Sequence, residues 1–518
     1  MGNRTIIDLL NEQVGFHPDK TFLIFEDMDQ GLHELTYGEF SIKMAQLSQV
    51  FLDLNVKKGS HVTLHLPNCL EFMISWFALA NIGAIMVPTN TLSTADEMAY
   101  IMNHSESTLL ITEEEYLGKF ERIRDQLPHL QNILLGRYHG CEYAGQSLNQ
   151  LMEKANHKPQ AAISIQSEDV VAMLYTSGTT SRPKGCLITH ANYLYTGEVV
   201  SKTIRLSPND RAMIVLPLFH GNGQYYLAMP ALTVGASIAI TERFSASRYV
   251  KQAKRMGATV GSLFAAPIRM ILRQQYDKED IHNLLRLIIF AQSVSAEQLD
   301  LFEKRYHTSL VQLYGMTETV APPLMNPLDG KRKNMGIGRP TVGSEVKVID
   351  KFGKELPPLH SGQIIIKGVP GRTLMRGYYK NPKATEETIK DGWLYSGDQA
   401  QIDEDGYFVF IDREKDMIKR AGENIAASEI ESVLSEHPAV FEASVIGVPD
   451  EIRDESVKAY IILNDEYELS EKDILDYCKD KLAKFKVPSR IEMVTEFPRT
   501  SVGKIQKHIL RQWYEKSN

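Results

Sequence analysis

Residues 175–185 read Tyr-Thr-Ser-Gly-Thr-Thr-Ser-Arg-Pro-Lys-Gly. They follow an apolar, partly β-branched run, Val-Val-Ala-Met-Leu at 170–174, which predicts a buried strand. The hydroxyls and glycines are therefore expected on a loop that leaves a sheet. Glycine lets the backbone approach an anion, hydroxyls donate hydrogen bonds, and Lys184 supplies a positive charge. A short Ser/Thr/Gly-rich turn is usually a plain surface loop, but eleven residues in this order indicate a phosphate-binding loop.

The same stretch comes close to the Walker A pattern, G-x-x-x-x-G-K-[ST], without matching it. Counted from Gly178, Pro183 stands where the second glycine belongs, and Gly185 stands where the magnesium-binding Ser or Thr belongs. The mismatch disfavours a P-loop NTPase.

Composition sets the broad class. The chain has 518 residues, 43% of them hydrophobic and 24% charged, as in an ordinary soluble protein large enough for several cores. A net charge of −8 argues against non-specific binding to nucleic acid. The four cysteines form no C-x-x-C pair, so neither a zinc ribbon nor a disulfide framework is predicted, which suits a reducing cytosol.

No targeting signal or membrane span is predicted. The N-terminus lacks an apolar signal core, and Ile6 breaks the myristoylation pattern. The longest uncharged run, 72–87, is shorter than the ~20 residues that a membrane-spanning helix needs. We interpret it as a buried helix followed by a strand, and we expect no integral membrane association.

Strand and helix patterns alternate through the first part of the chain, which indicates parallel α/β packing. Strands are predicted at 61–66, 84–88, 109–111, 212–216, 237–240, 259–263 and 287–290, with helices at 36–54 and 69–82. Short strands with glycine turns, such as 345–349 and 363–367, then indicate a β-rich subdomain over about 336–410. The last hundred residues carry strands at 443–448 and 457–463 and helices at 428–436 and 470–482. They predict a small α+β domain.

Four further motifs follow the loop in order. They read Y-G-M-T-E-T at 314–319, W-L-Y-S-G-D at 393–398, D-R at 412–413 and P-R-T-S-V-G-K-I at 498–505. Taken singly, each has an ordinary explanation: a helix start, a β-turn, a solvated linker or a basic tail. Their order and spacing together require a common explanation.

The loop and these motifs resemble those of the adenylate-forming superfamily, which includes acyl-CoA synthetases, the adenylation domains of peptide synthetases and firefly luciferase. The resemblance covers almost the whole chain. The family usually has Gly where this chain has Ser181, and Gly where it has Asp454. The combination S-G-T-T-S-R-P-K-G with I-R-D-E looks most like the crotonobetaine/carnitine–CoA ligase branch.

The resemblance implies roles for the nucleotide site. The loop residues Thr176, Ser177, Gly178, Thr179, Thr180 and Lys184 would hold the phosphates of ATP. Tyr314 would stack on adenine, Gly315 would belong to the same nucleotide-binding set, and Thr317 would contact the α-phosphate. Glu318 would bind Mg²⁺, which prefers carboxylate oxygen. Asp398 would bind the ribose hydroxyls and Arg413 would reach the ribose region.

The resemblance also implies a fold of two domains, of which the smaller one moves. Residues 1–412 would form an AMP-binding domain of packed mixed sheets and helices, 413–415 a hinge and 416–518 a mobile lid. The hinge residue would be Lys415. Lys504 would stabilise the charge that builds up during adenylation, and Gly422 would approach the pantetheine of CoA in the second step.

The acyl pocket rests on weaker signals. By resemblance it includes Phe219, His220, Gly221, Ala291, Gln292 and Ser293, and His220 would gate the carboxylate. Phe219, Tyr225 and Tyr226 would form an aromatic wall suited to a trimethylammonium group, although paired tyrosines are usually packing residues. The Asp that amino-acid-activating domains place near this motif is absent from 219–224, which favours another kind of carboxylate.

The predicted function is that of an ATP-dependent acid–thiol ligase. It would convert a carboxylic acid to acyl-AMP and pyrophosphate, and then transfer the acyl group to CoA, using ATP, Mg²⁺ and CoA. The acid would be carnitine-like, crotonobetaine-like, or short- to medium-chain. The alternatives are a stand-alone enzyme that loads a carrier protein, a medium- or long-chain fatty-acid–CoA ligase, and a non-catalytic scaffold or phosphotransferase. We expect a cytoplasmic protein without nucleic-acid partners, and a homodimer is left open.

Overall fold

The computed structural model describes residues 2–137, 146–155, 163–176, 182–413, 416–420, 423–450, 454–464, 466–500 and 505–517. Eight of the sequence-derived positions lie outside these ranges: Ser177, Gly178, Thr179, Thr180, Ser181, Lys415, Gly422 and Lys504.

Many of the helices begin at a hydroxyl side chain that caps the first turn. Thr5, Thr36 and Thr94 each accept a backbone N–H three residues on, while an acidic residue there bonds back to the cap. The helices are α1 Ile6–Phe16, α2 Tyr37–Asp53, α3 Leu70–Asn81, α4 Ala95–Ser105, α5 Glu114–Arg122, α6 Leu148–Lys154, α7 His190–Thr203, α8 Gly221–Gly223, α9 Met229–Val234, α10 Tyr249–Met256, α11 Ala265–Leu272, α12 Ala296–Tyr306, α13 Pro382–Thr388, α14 Ala427–Ser435, α15 Glu471–Lys481 and α16 Lys507–Ser517. A π-helical turn at Gln224–Ala228 joins α8 to α9.

The strands are β1 Thr21–Glu26, β2 Leu32–Thr36, β3 His61–His65, β4 Ile85–Pro88, β5 Leu109–Thr112, β6 Asn132–Leu135, β7 Gln146–Ser147, β8 Val170–Thr176, β9 Lys184–Thr189, β10 Arg211–Ile214, β11 Ser237–Thr241, β12 Val260–Phe264, β13 Leu287–Ala291, β14 Ser309–Tyr314, β15 Leu324–Met325, β16 Arg339–Pro340, β17 Glu345–Ile349, β18 Gly362–Lys367, β19 Gly377–Tyr378, β20 Ile389–Lys390, β21 Trp393–Ile402, β22 Phe408–Arg413, β23 Ile418–Arg420, β24 Glu423–Ile425, β25 Val440–Asp450, β26 Asp454–Leu463 and β27 Arg490–Met493.

Two large mixed sheets form the first part of the molecule. The nine-stranded sheet has the order β16-β15-β14-β13-β12-β10-β11-β1-β2, and the eight-stranded sheet has the order β19-β9-β8-β4-β3-β5-β6-β7. One cluster of buried side chains includes residues of both sheets and of α3 and α7. Helix α3 is buried at every position from Phe72 to Ala80, as its uncharged and mostly apolar sequence predicts.

A buried amide ties the start of α3 to the nine-stranded sheet. The Asn68 side chain donates to the carbonyls of Leu216 and Thr241, both at 3.1 Å, and accepts the backbone N–H of Leu218 at 2.7 Å. A buried amide with these partners fixes the loop after β10 against the first helices.

Two smaller sheets follow. One has the order β17-β18-β21-β20, with β22 added on β21, and covers its own apolar cluster around Ile364 and Leu394. The last sheet has the order β24-β23-β26-β25, with β27 added on β26, and packs on α14 and α15.

The predicted fold class is confirmed: an α/β assembly of mixed sheets, followed by a β-rich part and an α+β part. The buried helix and strand predicted over 72–87 are α3 and β4. The polar region 113–165 lacks a strand pattern and predicts helices and loops only; this prediction was wrong, because the region contains the short strands β6 and β7. The division at 412–416 stays a prediction. In the described part of the chain, every helix is too short or too polar to cross a bilayer.

Candidate active site

The carboxyl ends of parallel strands gather the predicted residues at one edge of the nine-stranded sheet. Strands β10, β12, β13 and β14 are parallel neighbours, so the loops that follow them leave the same edge. These loops carry Phe219 and His220 after β10, Gln292 and Ser293 after β13, and Gly315 to Glu318 after β14. Ligands of such sheets bind at this edge.

Asp398 forms the first polar centre of the site. It lies on β21 and is only 4% exposed. Its Oδ2 accepts a hydrogen bond from the Tyr314 hydroxyl at 2.7 Å, and its Oδ1 lies 3.4 Å from Nε of Arg413, its register partner on β22. Burial and the charge of Asp398 raise the pKa of Tyr314, so the phenol remains a donor. The carboxylate is thereby held in one orientation and has the chemistry to accept two vicinal hydroxyls.

Glu318 forms the second polar centre and is also buried. Its Oε1 accepts the Tyr378 hydroxyl at 2.8 Å, and its backbone carbonyl accepts the Met375 N–H at 2.9 Å. The Lys184 ammonium lies 4.5 Å from the centre of the Tyr378 ring. Burial raises the pKa of the neighbouring Cys186 thiol well above its usual range, and the Glu318 charge adds to this, so the thiol stays neutral.

These residues fit a magnesium ion that arrives with a nucleotide. Among the described residues no group of three or more acidic, His or Cys side chains could hold a metal alone. Mg²⁺ is commonly bound by one or two carboxylates together with substrate phosphates, and Glu318 could supply such a carboxylate close to Cys186 on β9, the strand that follows the predicted phosphate loop.

The two ends of the phosphate loop belong to an antiparallel hairpin. Thr176 ends β8, Lys184 begins β9, and the two are register partners. Lys184 and Gly185 thus lie in a strand, and not on the loop as predicted. A Cβ on Gly185 would lie 2.8 Å from Sδ of Met173, so any larger residue here would require the Met173 side chain to move.

Most of the predicted acyl residues follow β10 and β13 at the same edge of the nine-stranded sheet. The rings of Phe219 and His220 are 4.6 Å apart. Burial lowers the pKa of His220 to about 4, so the imidazole is neutral at pH 7. A Cβ on Gly221 would lie 2.5 Å from the Tyr225 ring, so this glycine is required by packing. Tyr225 is only 1% exposed and packs near Tyr193, as a core residue does.

A charged cluster joins the last sheet to the nine-stranded sheet. Glu442 on β25 accepts from Arg269 Nη1 on α11 at 3.3 Å, and it also pairs with Arg499. Arg269 Nη2 in turn donates to the carbonyl of Ser293 at 2.7 Å. The predicted acyl loop is therefore linked through one guanidinium to the small C-terminal sheet.

The motifs did not reveal these contacts. Arg269 lies in an ordinary amphipathic helix, and Tyr378 lies in a Gly-Tyr-Tyr stretch that resembles any short strand. The one available signal for Tyr378 was its position within the predicted β-rich subdomain.

Comparison with known families gives two matches. The model of a family described as AMP-binding enzyme matches residues 10–379, and that of the AMP-binding enzyme C-terminal domain matches residues 429–504. A crotonobetaine/carnitine–CoA ligase of Salmonella choleraesuis (strain SC-B67) is 37% identical over 514 residues, 99% of each chain. The enzyme of the same description from Salmonella typhi is 36% identical over the same length.

Solved structures of other ligases are similar to this chain over nearly its whole length. An anthranilate CoA ligase in complex with anthranoyl-AMP superposes with a TM-score of 0.91 at 29% identity, covering 99% of this chain and 98% of that chain. ATP-bound MatB from Rhodopseudomonas palustris superposes with a TM-score of 0.88 at 27% identity, covering 98% of each chain.

Proposed function

Because this chain belongs to the AMP-binding enzyme family, as an ATP-dependent, AMP-forming acyl-CoA ligase, we propose that its acid is a small carboxylate of the crotonobetaine or carnitine kind. The full-length similarity to the Salmonella enzymes supports this choice. The half-buried Phe219 ring beside a neutral His220 supports it as well, because an aromatic face attracts a quaternary ammonium.

In the first step a carboxylate oxygen attacks the α-phosphorus of ATP, the bond between the α-phosphorus and the bridging oxygen breaks, and pyrophosphate leaves. Asp398, fixed by Tyr314 and Arg413, orients the ribose. Lys184 holds departing phosphate, and Glu318 would bind Mg²⁺, whose charge offsets that of the phosphates. Lys504, which lies outside the described residues, would stabilise the charge on the α-phosphate.

In the second step the CoA thiolate attacks the acyl carbon, the bond from that carbon to the AMP oxygen breaks, and AMP leaves. The thiol proton goes to solvent. We propose that the small domain turns about Lys415 between the steps, which brings Gly422 towards the pantetheine arm. The link from Ser293 through Arg269 to Glu442 supports communication between the acyl loop and that domain.

We further propose a cytoplasmic location. The three cysteines that the structure describes are buried and unpaired, in keeping with a reducing cytoplasm. A homodimer remains a proposal to be tested by the mass of the enzyme in solution.

Carboxylate-dependent exchange of pyrophosphate into ATP, followed by CoA-dependent thioester formation, tests the function. We expect exchange with crotonobetaine to exceed exchange with its neutral isostere, in which a carbon replaces the quaternary nitrogen, by about 5- to 30-fold. Phe219→Leu should remove most of this preference. Equal use of both compounds would refute the substrate. Absence of exchange with any acid, fatty acids included, would refute the reaction itself.

A further inference from the structure

Tyr378 occupies an unusual place between two predicted functional groups. It is the second residue of β19, the edge strand of the eight-stranded sheet, and pairs with Cys186 on β9. Its backbone N–H donates to the Thr385 hydroxyl at 2.9 Å, and the side chain is largely buried. Both its backbone and its ring are thus held in place.

The two ends of this side chain contact opposite charges. The hydroxyl donates to Oε1 of Glu318 at 2.8 Å, while the Lys184 ammonium lies 4.5 Å from the ring centre. A phenol is protonated at neutral pH, so the Tyr378 hydroxyl is the donor in this bond. One aromatic residue therefore satisfies a carboxylate and a lysine at the same time.

A lysine and a carboxylate this close would otherwise attract one another strongly, because the site is partly shielded from water. The ion pairs among the described residues include none between Lys184 and Glu318. A direct pair would have to break before either group could serve Mg·ATP. Tyr378 gives each charge a weaker partner that Mg·ATP can replace: the hydroxyl for Glu318 and the ring for Lys184.

We propose that Tyr378 is a positioning residue for adenylation, which keeps Glu318 and Lys184 apart so that the carboxylate is available to Mg²⁺ and the ammonium to phosphate. The inference rests on the proposed function. Tyr378 itself touches no reacting atom and acts through its two partners.

Tyr378→Phe tests the hydroxyl alone, and Tyr378→Leu removes the hydroxyl and the ring together. The matched control is Tyr379→Phe, since the neighbouring Tyr379 hydroxyl donates to Glu106 at 3.1 Å, away from Glu318. Each purified full-length variant is assayed for pyrophosphate exchange over a range of Mg²⁺ at saturating ATP. It is then assayed for thioester formation from supplied acyl-AMP and CoA, which needs no Mg·ATP.

For Tyr378→Phe we expect the Mg²⁺ concentration at half-maximal exchange to rise about tenfold, because Glu318 would then bond to the Lys184 ammonium and Mg²⁺ would have to break that charged hydrogen bond, with the maximal rate nearly retained. Tyr378→Leu should in addition raise the KM for ATP. Thioester formation should stay within about twofold of wild type in both variants, and the Tyr379→Phe curve should overlay the wild-type curve.

A double-mutant cycle with Glu318→Gln gives an independent measurement. Once the carboxylate is neutral, removal of the Tyr378 hydroxyl should have little further effect on the Mg²⁺ dependence. The inference is overturned if Tyr378→Phe leaves the Mg²⁺ curve unchanged, if both half-reactions fall in proportion, or if the two substitutions are additive. Absence of exchange by the wild-type enzyme would instead refute the proposed function, and the inference with it.

Discussion

The Glu442 cluster leads to a prediction about how the small C-terminal domain docks. Glu442→Gln keeps the size of the side chain but removes its charge, so Arg269 and Arg499 would face each other without a carboxylate. The side chains of Glu442 and Arg269 are only 8% and 12% exposed, and burial lowers the pKa of Arg269. Little of the interaction is therefore screened by water.

The magnitude follows from the contacts. Arg269 and Glu442 form one hydrogen-bonded ion pair across the domain junction, and such a bond to a charged group contributes roughly 1.5–3 kcal/mol. Its loss should disfavour the observed docking by about 10- to 150-fold relative to any other orientation. Because the two half-reactions are proposed to use different orientations, the substitution should affect them unequally.

The assay measures both half-reactions on one preparation: pyrophosphate exchange for adenylation, and thioester formation from supplied acyl-AMP and CoA. We expect one rate to fall at least tenfold more than the other. Glu492→Gln is the matched control, because Glu492 pairs at 2.6 Å with Lys458, which lies within the same small domain. An equal loss in both half-reactions by a folded Glu442→Gln enzyme would refute the reasoning.

Further predictions concern three residues of the proposed catalytic machinery and the buried His190. Lys504→Ala should lower pyrophosphate exchange by about 100-fold or more while sparing thioester formation from acyl-AMP, and Lys415→Pro should show the reverse, because proline fixes φ. Asp398→Asn should raise the KM for ATP by about tenfold with little change in the KM for the acid, since the residue keeps its bond to Tyr314 but loses its charge beside Arg413. Burial lowers the pKa of His190 to about 4, below its unfolded value of about 6.5. The folded state should therefore be fully stable above pH 6.5 and lose about 2 kcal/mol from this residue by pH 5, as the unfolded chain takes up the proton. The fall in urea midpoint from pH 7 to pH 5 should be smaller for His190→Gln than for wild type.

The parts of the fold with strong local signals could be predicted from the sequence. The helices predicted at 36–54 and 69–82 and the strand predicted at 84–88 match α2, α3 and β4 to within about two residues, because the spacing of apolar residues is a local signal. β7 could not be predicted, since it is two residues long and is defined by pairing with β6. Pairing between distant segments leaves little trace in local pattern.

The residues of the candidate site likewise fall into those that a local sequence motif indicates and those that only tertiary contacts reveal. Asp398, Glu318 and Lys184 stand in motifs with fixed spacing, so a resemblance could indicate them, although their roles stay predictions. Tyr378 and Arg269 act through contacts with segments far away in the chain, and only the folded arrangement reveals them. Gly185 and Gly221 also show that a motif glycine can serve side-chain packing as much as ligand approach.

The groups proposed to bind the nucleotide come from three different sheets: Lys184 from the eight-stranded sheet, Tyr314 from the nine-stranded sheet, and Asp398 from the sheet that contains β21. The binding site is thus complete only after all three sheets have docked against one another. ATP should consequently do little to accelerate refolding, because early intermediates lack the site. It should slow unfolding instead, since separating any one sheet first requires the ligand to dissociate, and resistance to proteolysis would then depend on the ATP concentration.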